Sequence, residues 1–171
     1  MSDPAAKIQL RDGGWITVRP IVPEDADGIL KLHTRLSERT RYFRYFAAYP
    51  RIPPGDLQRF VNVNHYDREA LVAELDGDLI AVARYERLPL SETDAEVAFV
   101  VVDEHQRRGI APLLLGMLVE RARTNDVERF VAEVLPQNGP MMKVFLRAGF
   151  EVESEYADGV IHVAFGIAPP D

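Results

Sequence analysis

Cysteine is absent from the 171-residue sequence. Its absence excludes disulfides, thiolate metal ligands and a cysteine nucleophile. Long apolar runs are missing too, because no stretch approaches the roughly 20 consecutive apolar residues of a membrane span, and the N-terminal segment lacks the apolar run of a signal peptide. We therefore expect a cytoplasmic protein that is not inserted in a membrane.

Basic residues are fewer than acidic residues. The chain has 20 Lys and Arg residues against 27 Asp and Glu residues, which gives a formal net charge of -7 and a pI near 5.1. A nucleic-acid partner normally requires a basic face that neutralises phosphates. The charge therefore argues against nucleic-acid binding and favours a cationic partner.

Common signatures of metal and nucleotide binding are also missing. The sequence contains neither the P-loop pattern that ends in Gly-Lys-Ser/Thr nor G-x-G-x-x-G, which excludes two familiar phosphate-binding loops. We expect no metal, since none of the histidines shows metal-ligand spacing. These histidines are His33, His65, His105 and His162.

The composition is that of a globular protein, with 47% hydrophobic and 27% charged residues. A chain of this length commonly forms one hydrophobic core. We predict a single domain over residues 1–171, in which residues 1–9 form a loose terminus.

Hydrophobic periodicity switches between strand and helix patterns along the chain. The patterns predict strands at residues 15–19, 71–75, 79–85, 95–102, 129–135, 150–156 and 160–165. They predict helices at residues 23–36, 110–125 and 141–148, and a short helical pattern that follows Pro53-Pro54-Gly55-Asp56 and runs through Phe60 and Val61. Asp-Gly pairs between neighbouring strand patterns indicate two hairpins. Together the elements predict an α/β (α+β) domain with a mixed, mainly antiparallel sheet flanked by helices.

One loop has the features of an anion site. The segment Gln106-Arg107-Arg108-Gly109-Ile110-Ala111 links a predicted central strand to the long helix. The first turn of a helix offers unpaired N–H groups and a positive dipole end, which bind phosphate. Gly109 and Ala111 let the backbone approach a ligand, and Arg107 or Arg108 can add charge. Taken alone, the loop fits two interpretations equally well. One is a phosphate site, and the other is a glycine that merely begins a helix beside surface arginines.

The order of these motifs resembles the GNAT acetyltransferase superfamily across nearly the whole chain. Three strands, a Q-x-x-G-x-A loop, a helix and a strand are followed by Asn138, a short helix and Gly149-Phe150. The resemblance implies the GNAT fold with acetyl-CoA as cosubstrate. By resemblance, the pantetheine arm contacts Phe99, Val100, Val102 and Asn138. The pyrophosphate lies on Arg107, Arg108, Gly109, Ile110 and Ala111. The alternative for Asn138 is a turn or helix cap.

Within the superfamily, the chain resembles the catalytic domain of Pat-type bacterial protein lysine acetyltransferases. The matching segments are Val18-Arg19-Pro20-Ile21, Glu24-Asp25-Ala26, Leu36-Ser37, Arg41-Tyr42-Phe43-Arg44-Tyr45-Phe46, Ala95-Glu96-Val97-Ala98-Phe99 and Val127-Glu128-Arg129-Phe130. The resemblance implies transfer to a lysine ε-amine of a protein, such as a metabolic enzyme, with Glu96 as general base. Larger members carry a regulatory domain, which we do not expect in 171 residues.

Glu96 enters an apolar strand pattern, and its chemistry suits a base. A lysine ammonium has a reference pKa of about 10.4, so deprotonating it at neutral pH costs about 4 kcal/mol. Partial burial would raise the pKa of Glu96 toward a useful range for proton abstraction. The alternative is an exposed acid at a strand end.

Other residues around the predicted reaction centre bear on the proton source for the leaving thiolate and on the identity of the acceptor. Phe145 stands where many GNAT enzymes have a tyrosine that protonates the leaving thiolate, so water is the expected proton source. Tyr85 and Tyr156 are other candidates, although each is more simply a packed strand aromatic. The absence of G-x-S-x-G favours direct transfer over an acyl-enzyme. A small-amine acceptor, such as a polyamine or antibiotic, and a non-catalytic acyl-CoA sensor remain the alternatives.

Two surface features also have more than one interpretation. Residues 41–46 either pack Phe43 and Phe46 under the sheet or line the acceptor entrance, while the acidic charge disfavours base stacking. Several acids either form a solvated face or attract a lysine-bearing loop. These acids are Glu92, Asp94, Glu133, Glu151, Glu153 and Glu155.

Overall fold

The computed structural model describes residues 5–169, in which helices flank one eight-stranded sheet. The strands are β1 (Ala6–Gln9), β2 (Trp15–Pro20), β3 (Arg68–Leu75), β4 (Asp78–Arg87), β5 (Asp94–Val101), β6 (Arg129–Val134), β7 (Val152–Ala157) and β8 (Val160–Gly166). The helices are α1 (Ala26–Thr34), α2 (Glu38–Tyr45), α3 (Pro54–Val61), α4 (Ile110–Thr124) and α5 (Gly139–Leu146). Short 3₁₀ turns cover Pro23–Asp25 and Asp103–His105. Within this range no helix combines the length and apolar character needed to cross a membrane.

The strand order is β1-β2-β3-β4-β5-β6-β8-β7. Neighbouring strands run antiparallel throughout, except that β5 and β6 are parallel. The predicted mixed, mainly antiparallel sheet is therefore confirmed. The parallel pair arises because α4 crosses over the sheet between β5 and β6, as such connections require.

Two tight turns explain the hairpins that the sequence predicted. Asp76 and Gly77 join β3 to β4 with φ values of 52° and 85°. Asp158 and Gly159 join β7 to β8 with φ values of 55° and 82°. Two consecutive positive φ angles are the requirement of a type I′ turn, which Asp-Gly meets with little strain.

The prediction of a loose terminus over residues 1–9 is wrong where the structure describes it. Ala6–Gln9 forms β1, in antiparallel register with β2 from Ala6 opposite Val18 to Gln9 opposite Trp15. Residues 1–4 lie outside the described range. The strand escaped the sequence pattern because it is only four residues long and buries one face only partly, as edge strands often do.

The sheet is covered unequally on its two faces. On one face α4 packs against β3, β4 and β5, and Phe145 of α5 contacts Phe165 of β8. On the other face α1 packs on β4 and α2 packs on β5. The outward residues of β6, β7 and β8 on that second face stay exposed, as Glu133, Glu153 and His162 illustrate with side-chain exposures of 47%, 82% and 43%. We call this surface the open face.

A buried carboxylate fixes the entry to α1. Asp25 is only 7% exposed and accepts hydrogen bonds from Arg19 Nη1 and Nη2 at 2.8 and 2.7 Å and from the Val22 N–H at 2.8 Å. Arg19 also pairs with Glu74 of β3 at 2.5 Å. Burial opposes ionisation of Asp25, yet the bonds from Arg19 and Val22 outweigh it and lower its pKa. This pair therefore ties α1 to the edge of the central sheet.

Asp25→Ala is expected to reduce the free energy of unfolding by about 2–4 kcal/mol, because it leaves Arg19 partly buried without its main partner. The contribution of Asp25 is present above its ordinary unfolded pKa of about 3.9, and it is lost as pH falls through the lower folded-state pKa. Urea unfolding at neutral and acidic pH measures both effects. Asp27→Ala, at an exposed position of α1, is the control and should change stability by less than about 0.5 kcal/mol.

Candidate active site

The two parallel strands at the centre of the sheet separate soon after they meet. β5 and β6 are in register only at Asp94 with Arg129, Ala95 with Phe130 and Glu96 with Val131. Both strands continue beyond these pairs, to Val101 and Val134. The sheet therefore contains a wedge that opens beyond Glu96 and widens toward the loop before α4.

Every second residue of β5 points its backbone N–H and C=O groups into this wedge. The Val102 N–H donates to the Ile80 carbonyl of β4 at 2.9 Å, on the side away from the wedge. Backbone groups alternate in direction along a strand, so those of Phe99 and Val101 point into the wedge. Gln106 Nε2 donates to the Val101 carbonyl at 3.0 Å. An extended ligand lying in the wedge can pair with Phe99 as another strand would.

A cavity of about 930 Å³ fills the wedge and extends over the loop. Most of the residues predicted to bind a cofactor line it, namely Phe99, Val100, Arg107, Gly109, Ile110, Ala111 and Asn138. Val102 and Arg108 are not among the lining residues. Val102 is fully buried in the core, and the Arg108 side chain turns away to pair with Asp12 at 2.6 Å. The structure thus brings together the predicted site apart from these two side chains.

The loop before α4 has the geometry of an anion cradle. Gly109 precedes the first residue of α4 with a φ of 80°, and Arg107 also has a positive φ of 65°. The first turn of α4 contains no acidic side chain, so nothing in it neutralises the positive helix end. The N–H groups of Ile110 and Ala111 belong to this first turn, which has no intrahelical acceptors for them. The loop can therefore hold a phosphate group.

Contacts that are distant in sequence hold the loop and α2 together. Asp103 accepts hydrogen bonds from the Ser37 N–H at 2.9 Å, the Ser37 hydroxyl at 2.8 Å and the Thr40 hydroxyl at 2.9 Å. Burial opposes ionisation of Asp103, but these bonds prevail and lower its pKa. Gln106 Nε2 also reaches Thr40 Oγ1 at 3.2 Å. Sequence reasoning missed this link, because Ser37 and Asp103 are 66 residues apart and no local pattern connects them.

The wall of the cavity is basic although the protein is acidic. Six arginine and lysine side chains line it against three carboxylates. The basic residues are Arg39, Arg44, Arg107, Arg123, Lys143 and Arg147, and the acidic ones are Asp103, Glu120 and Glu133. Such a local reversal of charge favours an anionic ligand in the cavity.

Residues 41–46 contribute to the wall of the large cavity, and the expected packing of Phe43 and Phe46 under the sheet is wrong, since neither side chain is buried. Phe43 and Arg44 line the cavity, and the Arg39 guanidinium lies over the Phe43 ring at 5.0 Å. The aromatic residue of this segment that packs closely is Tyr45, whose ring stacks on that of Tyr49 with centroids 4.1 Å apart. This helix therefore forms a wall of the site on the face that also carries Glu96.

Asn138 at the start of α5 also has two roles. Its Oδ1 accepts a hydrogen bond from the Met141 N–H at 3.2 Å, so it caps the helix. It also lines the large cavity. The cap fixes the orientation of the side chain beside the cavity.

Glu96 lies at the apex of the wedge. It belongs to the last registered pair of β5 and β6, and its side chain lines a separate groove of about 450 Å³ on the open face. Within residues 5–169 its carboxylate makes no hydrogen bond or ion pair. Glu96 is exposed to solvent, as the alternative interpretation of the sequence expected, and not partly buried. The protein around it still raises its pKa, by partial desolvation and by the negative charges of Glu133 and Glu86, while Arg44 opposes them. Glu96 is therefore an unengaged carboxylate whose proton affinity is increased.

The aromatic residues near the wedge offer no hydroxyl to the cavity. Phe145 is 1% exposed and packs between Phe99 and Phe165, with ring centroids 6.0 and 5.7 Å away. The Tyr85 hydroxyl is committed to the Tyr66 carbonyl at 2.8 Å, and Tyr156 lies on the exposed surface of β7. Among the described residues that line the cavity, neither tyrosine appears. In the same part of the chain no cluster of three or more His, Asp or Glu side chains is arranged to hold a metal ion.

The chain is similar in sequence to known acetyltransferases. Residues 32–150 match the sequence model of the Acetyltransferase (GNAT) family. The chain is 36% identical to Acetyltransferase Pat of Mycolicibacterium smegmatis over 145 residues, which cover 83% of this chain and 43% of that protein. It is 27% identical to Acetyltransferase PA5475 of Pseudomonas aeruginosa, over 90% of this chain and 85% of that protein.

A solved structure matches the whole architecture. The GNAT domain of S. lividans PAT superposes with a TM-score of 0.89 and 39% identity, covering 95% of this chain and 96% of that domain. The chain thus corresponds to one domain of that protein and spans less than half the length of the Mycolicibacterium relative. The shared architecture confirms the predicted GNAT fold.

Proposed function

Because the chain belongs to the acetyltransferase (GNAT) family and is an N-acetyltransferase, we propose that it moves an acetyl group from acetyl-CoA to a lysine ε-amine of a protein, with Glu96 as general base. The observation that carries the proposal is the position of Glu96. It stands where the wedge closes, so the reactive end of an extended ligand in the wedge would meet it. A metabolic enzyme is the kind of acceptor we propose.

The cavity provides complementary groups for each part of acetyl-CoA. The first turn of α4 and Arg107 suit the pyrophosphate, and the basic wall suits the remaining phosphate. The backbone of Phe99 can pair with the amides of the pantetheine arm, as in a strand. From Val101 to Glu96 the strand spans about 17 Å, a distance that an extended arm is suited to bridge. The thioester would then lie near Glu96.

Glu96 would act on the acceptor and not on the donor. The amine must lose a proton to become nucleophilic, and a carboxylate with a raised pKa accepts that proton more readily, directly or through water. The nitrogen then bonds to the acetyl carbon, and the carbon–sulfur bond breaks. Phe145 cannot protonate the sulfur, so the thiolate would leave as such or take a proton from water, which a thiol pKa of about 8.5 allows.

A protein acceptor is supported by the likeness to the two Pat proteins and by the open face beside Glu96. The test is acetyl-CoA turnover with a panel of lysine-bearing proteins, peptides and small amines, with mass spectrometry to locate the acetyl group. We expect acetylation of protein lysines. Turnover of small amines alone would replace the proposal by a small-amine acetyltransferase. Acetyl-CoA binding without turnover would indicate a sensor.

Arg107→Ala is expected to weaken acetyl-CoA binding about five- to tenfold, since it removes a cation from the cavity wall. Arg108→Ala is the matched control. Its side chain does not line the cavity but pairs with Asp12 and lies 2.9 Å from His105 Nδ1, so its loss should change affinity less than twofold. Calorimetric titration of both variants at low and moderate salt measures the difference. Equal losses in the two variants would contradict the assigned positions.

A further inference from the structure

The groove on the open face and the large cavity meet at one place. Ala132 and Glu133 of β6 line both of them. Glu96 lines the groove on the opposite side of the opening between β5 and β6. A molecule lying in the groove can therefore meet the cavity beside Ala132 and Glu133, with Glu96 on the neighbouring strand.

The sheet register places these groups on the same face. Glu96 is opposite Val131, and Glu133 follows Val131 by two residues, so their side chains project to one side. His162 of β8 is opposite both Glu133 and Glu155 of β7, which extends this set of side chains to the edge of the sheet. The groove thus runs from the sheet edge to the apex of the wedge.

We propose that Glu133 is a substrate-binding residue, which holds the acceptor ammonium together with Glu96, and that a lysine-bearing protein segment docks in the groove of the open face. This inference rests on the proposed transfer to lysine. It adds the route by which the acceptor arrives and a second residue that selects a cation.

The charges facing the pair favour a cationic occupant. Carboxylates of Glu96, Glu133, Glu153 and Glu155 line the groove, against Arg129 and His162. Arg129 is already paired with Asp94 at 3.4 Å and lies 3.8 Å from Glu153. An ammonium between Glu96 and Glu133 would relieve the repulsion between two like charges on adjacent strands.

Three other charged or titratable groups face Glu96 and Glu133, and each has an identified neighbour. Glu86 lies opposite Glu96 on β4 but is ion-paired with Arg59 of α3. Arg44 of α2 attracts Glu96 from the cavity side, and His162 Nδ1 lies 3.8 Å from Glu133. Glu133 is therefore the neighbour whose negative charge acts most strongly on Glu96.

Glu133→Gln is expected to raise the KM for a lysine-bearing peptide about tenfold while changing kcat and the KM for acetyl-CoA by less than about threefold. The acidic limb of the pH–rate profile should also move to lower pH, because the charge that raises the pKa of Glu96 is gone. A purely structural role for Glu133 would not move that limb. Glu151→Gln, an exposed position outside the groove, is the control and should match wild type.

A binding experiment separates this inference from the proposed function. Calorimetry with CoA-saturated protein compares a lysine peptide with the same peptide carrying norleucine. Wild type should prefer lysine about tenfold, and Glu133→Gln should lose most of that preference. If the preference depends on Glu133 but no acetyl transfer occurs, the inference stands and the proposed function fails. If transfer to lysine occurs while the variant keeps the wild-type preference, KM and pH profile, the inference is overturned and the proposed function stands. Absence of peptide binding to wild type also overturns it.

Discussion

Glu96→Gln is expected to lower kcat for lysine acetylation by about a hundredfold or more while leaving acetyl-CoA affinity unchanged. Glutamine keeps the size and polarity of the side chain but cannot take a proton from the attacking amine. Because Glu96 lines the groove and not the large cavity, its replacement should not disturb donor binding. Steady-state kinetics with acetyl-CoA and a lysine peptide, together with calorimetry of CoA binding, measure both quantities.

The pH dependence of wild type gives a second readout of the same residue. The pKa of Glu96 is raised, so the active carboxylate form is lost as pH falls through a value above the ordinary range for glutamate. The variant should lose that contribution to the acidic limb and retain only the titration of the acceptor amine.

Folding of the variant can be checked independently. A raised folded-state pKa means that ionised Glu96 opposes folding above that pKa, so Glu96→Gln should be at least as stable as wild type at neutral pH. Glu92→Gln, an exposed acid before β5, serves as the control and should keep full activity. A Glu96→Gln rate within a factor of two of wild type would remove Glu96 as the base.

Gly109→Val is expected to weaken acetyl-CoA binding by about ten- to a hundredfold. A β-branched residue is strained at the φ of 80° found there, so the loop would relax and turn the N–H groups of Ile110 and Ala111 away from the ligand. Each charge-assisted hydrogen bond lost contributes about 1.5–3 kcal/mol. An added Cβ meets no described protein atom within 4 Å, so the effect would come from backbone conformation and not from a clash with the fold.

Gly77→Val is the matched control for this prediction. Gly77 has a φ of 85° in the β3–β4 turn, remote from the cavity, and its Cβ would also meet no described atom within 4 Å. It should lose a similar amount of stability and keep its acetyl-CoA affinity. Calorimetry and thermal unfolding of both variants separate the two effects. An equal affinity loss in both would show that the Gly109 loop is not the phosphate site.

Much of the fold was predictable because its signals are local. Asp-Gly turns and alternating strands indicated both hairpins, and helical spacing indicated α4. The position of β8 between β6 and β7 is a matter of sheet order, which no local pattern in either strand specifies. The short edge strand β1 was missed for the opposite reason, since it has too few residues to show a period.

The candidate site was predictable where backbone chemistry defines it. The positive φ of Gly109 and the unpaired N–H groups of the first turn of α4 are local features, so the sequence motif predicted the conformation of the loop. Side-chain directions were less accessible. Arg107 and Arg108 are adjacent and equivalent in sequence. The ion pair with the distant Asp12 directs the Arg108 side chain away from the cavity, and no local pattern predicts it. Glu133 was likewise one acid among several until the sheet register placed it beside Glu96.

The three registered pairs between β5 and β6 also have a mechanical consequence. They are the sole backbone ladder, within the described residues, that joins the five-stranded part of the sheet to the three-stranded part. Side-chain packing, such as Tyr85 on Phe130, supplies the rest of the junction. A molecule bound in the wedge would contact both parts of the sheet and restrict their relative motion. Donor binding would therefore make the junction between β5 and β6, which ends at Glu96, more rigid. The enzyme would be most rigid when acetyl-CoA is bound.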